Sequence, residues 1–178
     1  MPTKKPKSYS STYAGGVLLL YCVLLTGCGF QLRGADQTTS WPAHLETLQL
    51  KFVGSVDPDF RTRLRTQLTS QFNVQIVPAS APTLVVKDVT QDRRVLTLSA
   101  TGKVSEYLLH LDASFFLVGR DGKTIFDKQS VRLRQAFSFD ETDILAIEVE
   151  QARLSERMQI DAVRRILRRV IALSKINR

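Results

Sequence analysis

From Leu45 onward the spacing of apolar residues changes period along the chain, and each period predicts an element. Leu48, Leu50 and Phe52 alternate with Thr47, Gln49 and Lys51, the two-residue rhythm of a first strand over Leu45 to Phe52 with one buried face. Asp57-Pro58 then reads as a helix start, Asp57 as the cap and Pro58 with its backbone preset for the first turn. Phe60, Leu64, Leu68 and Phe72 recur every four residues while Arg61, Arg63 and Arg65 fall off that stripe, which predicts one amphipathic helix to about Phe72. Val74 and Ile76 begin a short extended piece that Pro78 and Pro82 interrupt.

Three long β-rich runs follow. Leu84 to Ala100 mixes apolar residues with Asp88, Gln91, Asp92, Arg93 and Arg94, and Thr101-Gly102-Lys103 supplies a turn. In Val104 to Val118 the odd positions from Tyr107 to Leu117 are apolar, while Glu106, His110, Asp112 and Ser114 occupy the other face. Gly119-Arg120-Asp121-Gly122 predicts a hairpin into Ile125 to Phe139, with Val131, Leu133, Phe137 and Phe139 opposed to Lys128, Ser130, Arg132 and Arg134. After Asp140 the period becomes helical. Leu145, Val149 and Ala152, then Ile160, Val163, Leu167 and Val170, keep helical spacing with no Pro or Gly, so a helix from about Asp143 to Leu173 is expected to cross the whole sheet. Acids at its start (Asp140, Glu141, Asp143) and bases toward its end (Arg164, Arg165, Arg168, Arg169) complement the helix dipole. The fold class that results is α+β: a two-layer sandwich with two helices on one face of a mostly antiparallel four-stranded sheet, in the order β-α-β-β-β-α.

The first 27 residues break this pattern. A basic start with Lys4, Lys5 and Lys7 is followed by an apolar run from Ala14 to Leu25, too short for the roughly 20 residues that span a bilayer. It reads as a secretory signal that ends Leu25-Thr26-Gly27-Cys28, a lipobox-like series in which small residues precede a cysteine. Cleavage would leave Cys28 at the new N-terminus, carrying a diacylglycerol thioether and an N-acyl chain. Two or three chains at about 0.8 kcal/mol per buried CH₂ anchor a protein far more firmly than one. Gly29 at the second mature position, rather than Asp, resembles the outer-membrane class of such proteins. The expected organisation is a signal peptide at 1–27, a lipidated N-terminus and tether at 28–43, and a single domain at 44–178.

Charge and chemistry then narrow the function. The formal charge of +8 from 25 bases and 17 acids invites a nucleic-acid partner, but three of those bases leave with the leader, and export argues against RNA or DNA. Cys22 and Cys28 are the only cysteines, so the folded part has no disulfide framework. His44 and His110 stand in different elements, and HExxH, GxSxG, Walker and GxGxxG motifs are all missing. An enzyme is not expected, nor a metal or other cofactor beyond the acyl chains. Arg93, Arg94 and Lys103 near the end of the long strand pair, with Arg132 and Arg134 on one strand face and Lys128 in line, form a basic set. A solvated polar face accounts for any one of them; together they suit phosphate groups, onto which Arg forks and to which Lys brings a point charge.

The run Leu25-Thr26-Gly27-Cys28-Gly29-Phe30-Gln31-Leu32-Arg33-Gly34 resembles the opening of the lipopolysaccharide-assembly lipoproteins, the LptE family, and Glu106-Tyr107 after the turn is similar to it as well. The resemblance implies an outer-membrane lipoprotein that partners the LptD β-barrel as plug and assembly factor and contacts lipopolysaccharide. Ala100 and Ile147 stand nearest to basic positions implicated in that contact in some members, so Arg93, Arg94, Lys103, Arg132 and Arg134 are the lipopolysaccharide-contact candidates here. The alternative is a lipid-anchored periplasmic binding or envelope-structural module with no lipopolysaccharide role.

Overall fold

A computed structural model of the chain describes residues 40–138 and 144–176. The signal peptide, Cys28, the motif around Phe30 and the acids Asp140, Glu141 and Asp143 lie outside the described residues. After a 3-10 turn at Ala43–Leu45 the elements are β1 (Thr47–Val53), α1 (Pro58–Thr66) continued by a π turn (Gln67–Gln71), β2 (Gln75–Ile76), β3 (Thr83–Leu98), β4 (Val104–Val118), β5 (Thr124–Ser138) and α2 (Ile144–Ile176).

Local chemistry sets the first helix. Asp57 Oδ1 accepts from the backbone N–H groups of Asp59 and Phe60 at 2.8 and 3.3 Å, and Pro58 occupies the first turn. The helix ends where Asn73 takes a left-handed backbone (φ 53°) and the Val74 N–H donates back to the Leu68 carbonyl at 3.0 Å. The α-helical part is therefore shorter than the sequence reading, with the last turn before Phe72 widened into π geometry. Phe60, Leu64 and Leu68 are buried as their spacing predicts, while Phe72 stacks at 5.2 Å on Trp41, where the chain reaches the domain.

The sheet corrects the expected architecture. It has five strands in the order β2-β1-β3-β4-β5, and it is mixed: β1 runs parallel to both β2 and β3. The reason is the crossover. A helix between two strands carries the chain back to the same end, so the strands flanking α1 run parallel, whereas the short turns at Gly102 and Gly122 force antiparallel hairpins. The extra strand, β2, is two residues long and stops before Pro78, too short to show an alternation.

β1 covers only the first five residues of β3, from Thr83 to Lys87. At Asp88 (φ 50°) a bulge shifts the β3–β4 register between Lys87 and Thr90. Gly54, at the end of β1, has φ +74°, and a Cβ placed on it would lie 2.0 Å from Asp88 Oδ1. Gly54→Ala is therefore expected to destabilise the domain by about 1 kcal/mol, chiefly through the left-handed backbone, with Asp88 able to swing aside. A downward shift in thermal midpoint checks this; an unchanged or raised midpoint contradicts it.

One face of the sheet carries the core. Leu109, Leu111, Ala113, Phe115 and Leu117 of β4 are buried with Phe126, Val131, Leu133 and Phe137 of β5, and both helices close over them. The 33 residues of α2 extend about 50 Å. Its buried stripe is Leu154, Met158, Ala162, Val163, Ile166, Leu167 and Val170, preceded by the partly buried Ile147. Leu145 and Val149 are 75% and 68% exposed, and Ala152 is exposed too, so these three do not start the buried stripe as their spacing suggested. Two apolar stripes compete over that first turn of the helix, and the sheet takes the one through Ile147.

Candidate functional site

The face of the sheet opposite the helices holds the charged residues. Cross-strand register sets them in rows: Thr90 beside Asp112 beside Arg132, and Asp92 beside His110 beside Arg134. Directly opposed residues share a face, and successive rows two residues apart lie roughly 7 Å apart along the strand. The result is an open groove of about 640 Å³ whose lining includes Asp88, Arg94, His110, Lys128, Arg132 and Arg134.

The charges in it are not equivalent. Arg94 Nε sits 2.7 Å from Asp92 Oδ2, and Arg132 Nε sits 3.5 Å from Asp112 Oδ1. Both pairs are largely exposed, with the Arg side chains at 68% and 73%, so each contributes little to stability and exchanges readily for another anion. Arg134 and Lys128 have no carboxylate partner among the described residues. The groove thus offers two uncommitted cations and two more on weak internal partners, an arrangement suited to phosphate oxygens.

Three of the five sequence candidates, Arg94, Arg132 and Arg134, come together here, joined by Lys128. Arg93 does not. Opposite Leu109 on the helix side, its guanidinium lies 4.3 Å over the Tyr107 ring and donates to Gln151 Oε1 of α2. Arg93 therefore ties the start of α2 to the sheet. Lys103 lies at the hairpin tip, where its backbone carbonyl accepts from Ser99 N–H at 2.6 Å, roughly 20 Å or more along β4 from the Arg134 row. Asp92, Asp112 and His110, which tune the groove, were not among the candidates, because cross-strand partners depend on register.

Near the tip of the open face, Glu106 clips three strands. Its carboxylate accepts from Thr97 Oγ1 of β3 at 2.7 Å and Ser138 Oγ of β5 at 3.0 Å. These donors, Thr97 foremost and then Ser138, hold the Glu106 carboxyl below its ordinary value because they stabilise the charged form. A depressed carboxylate stabilises the folded tip above the unfolded pKa, and that contribution fades as pH falls through the folded pKa. An NMR titration of amides around Glu106 should show a midpoint below that of an ordinary glutamate, moving upward in Thr97→Val. A midpoint at or above the ordinary value, or one indifferent to Thr97→Val, contradicts the clip.

Comparison with known proteins decides the family. The LptE model, described as lipopolysaccharide-assembly, matches residues 45–170, which takes in all five strands and most of α2. The chain belongs to the LptE family. The LPS-assembly lipoprotein LptE of Photorhabdus laumondii is 30% identical over 161 residues, covering 88% of this chain and 85% of that protein. The rare lipoprotein B of Shewanella oneidensis, a crystal structure, is 26% identical with a TM-score of 0.63, covering 74% of this chain and 97% of that one. The solution structure of a lipoprotein B from Nitrosomonas europaea shares the fold at a TM-score of 0.69 and 24% identity, covering 84% and 94%. LptE membership makes this an envelope lipoprotein of lipopolysaccharide assembly and not an enzyme. No helix among the described residues is long and apolar enough to cross a membrane.

Proposed function

We propose that this LptE protein is an outer-membrane lipoprotein on the periplasmic side, anchored through acyl chains on Cys28, that plugs and helps assemble an LptD β-barrel and assists lipopolysaccharide insertion at the cell surface. The observation that carries the lipid contact is the open face of the sheet, where Arg94, Lys128, Arg132 and Arg134 line one groove with weak or no internal partners. Phosphate groups on lipopolysaccharide displace Asp92 and Asp112 from their arginines and meet Arg134 and Lys128 directly. Arg93 belongs to the contact only through its hold on α2.

The role needs no reaction on the lipid. A plug must keep its shape while lipid moves past, and a mixed five-stranded sheet with two long antiparallel hairpins, backed by a full-length helix, supplies that rigidity. Purification of the lipidated protein in mild detergent tests the partnership: a large β-barrel should copurify. Recovery of the protein with no barrel, or with an envelope polymer or another protein in its place, would contradict it.

A further inference from the structure

The two strands that flank β4 finish their outer sides differently. Gly119 N–H donates to the Lys123 carbonyl at 2.7 Å, so the odd residues of β4 turn their backbone groups toward β5 and the even ones toward β3. Register then fixes which groups point out of the sheet. On β5 the even residues opposite β4, Ser130 and Ala136 among them, turn outward. Side chains meet both of those carbonyls: Arg169 of α2 donates to that of Ser130, and Gln135 Nε2 donates to that of Ala136 at 3.1 Å.

β3 has no such finish. β1 covers it only as far as Lys87, and beyond the Asp88 bulge its partners Asp112, His110 and Leu108 are even residues of β4, so Thr90, Asp92 and Arg94 turn toward β4. The N–H and C=O groups of Gln91, Arg93 and Val95 therefore point outward, where β1 has ended. No group among the described residues bonds them. Residues 92–98 are all exposed, and Val95, Leu96 and Leu98 are 54%, 48% and 56% exposed. Thr90 to Val95 runs without a break in register, about 20 Å and an ordinary strand's length. A border with free backbone groups and exposed apolar side chains is a template for another strand.

The charges along the border select the occupant. In a twofold antiparallel pairing of two copies, outward residues meet outward residues, so the axis passes through one residue. Centred on Asp92, Arg93 or Arg94, such a pairing sets that charge against its own copy, which is destabilising. A different strand fits better, with an acid beside Arg93 and Arg94 and apolar residues beside Val95 and Leu96. A plug is enclosed by its barrel, and the wall strands of a closed barrel have already paired their backbone groups. We propose that one further strand, supplied by a loop of the barrel partner folded into the lumen and carrying acidic and apolar residues, extends the sheet along β3 from Gln91 to Leu98; this rests on the plug reading above. Main-chain hydrogen bonds hold that strand, and the acid and apolar side chains select it.

The test compares the lipidated protein purified with its barrel in mild detergent with the same protein alone, by hydrogen exchange read at single amides. In the free protein the amides of Gln91, Arg93 and Val95 should exchange fast, while those of Asp92 and Arg94 are protected by β4. In the complex the three outward amides should slow by at least about a hundredfold. Val95→Pro removes one outward N–H and none that β4 uses. With the circular dichroism of the free protein unchanged, it should return Gln91 and Arg93 to fast exchange in the complex or lose the barrel, whereas Val95→Ala, which keeps the N–H, should leave both amides slow. A barrel that copurifies while the three amides stay as fast as in the free protein overturns the strand pairing and leaves the plug standing. Protection that Val95→Pro does not alter does the same, because it reports cover without pairing. Recovery of no barrel overturns both readings. Slow outward amides already in the free protein assign the border to this chain itself or, where dilution releases them, to a second copy, and overturn the barrel strand.

Discussion

Phe115→Ala is expected to destabilise the domain by about 3–5 kcal/mol, the usual loss for a large aromatic removed from a closed core. Phe115 is fully buried on the helix side of β4 and meets Phe126 edge-on, ring centroids 6.0 Å apart. Its truncation leaves a void between sheet and helices that neither rigid layer can close. Phe116, the next residue, points to the open face opposite Val85 and is half-buried, so Phe116→Ala should cost clearly less. Urea unfolding of both variants checks the ranking. Equal losses would mean that the two faces of the sheet are not the buried and open faces described. With native stabilities of about 5–15 kcal/mol, a loss of this size removes a large share of the total and should lower the amount of folded protein in cells.

The second large effect concerns the groove. Arg132→Gln with Arg134→Gln should weaken binding of purified lipopolysaccharide by tenfold or more, since hydrogen bonds to a charged partner contribute about 1.5–3 kcal/mol each and 1.4 kcal/mol is a factor of ten. Stability should stay within about 0.5 kcal/mol, because both side chains stand on the exposed face. Arg93→Gln should do the reverse. It loses the stacking on Tyr107 and the bond to Gln151, destabilising by about 0.5–1 kcal/mol, while lipopolysaccharide affinity holds. Equal loss of affinity in the two variants would erase the distinction between the faces. Titration of immobilised lipopolysaccharide with each variant, alongside thermal melts, separates the two.

The bulge at Asp88 explains why the sequence shows that distinction poorly. Leu84 and Val86 face the core from even positions, so unbroken alternation would turn Arg94 inward and Arg93 outward. The shifted register after Lys87 reverses the parity, sending Arg93 to the helix side and Arg94 to the groove. A single residue of left-handed backbone at a non-glycine position makes the change, and nothing in the pattern of apolar residues announces it.

Other features were legible because one force dominated. In β4 the odd residues from Leu109 to Leu117 are all buried as their alternation predicts, since that strand is paired on both sides and packed on one face. Asp57-Pro58 starts α1 through local hydrogen bonding alone. Competition between comparable alternatives hid the rest. Leu145 and Ile147 both lead apolar stripes on α2, and only the packed tertiary structure selects Ile147. The two residues of β2 and the parallel pairings of β1 depend on where α1 returns the chain. The pairing of Arg132 with Asp112 and of Arg134 with His110 depends on the register between hairpin strands, which fixes the chemistry of the groove although it leaves no mark in the sequence of either strand.

The central claim is that lipopolysaccharide meets the open face of the sheet and not the helix layer. Photocrosslinking in growing cells tests it most directly, with a photoreactive side chain introduced singly at Arg134, Lys128 or Arg168. The account predicts lipopolysaccharide adducts from positions 134 and 128 and none from 168. Adducts from 168 with none from the groove positions would contradict it.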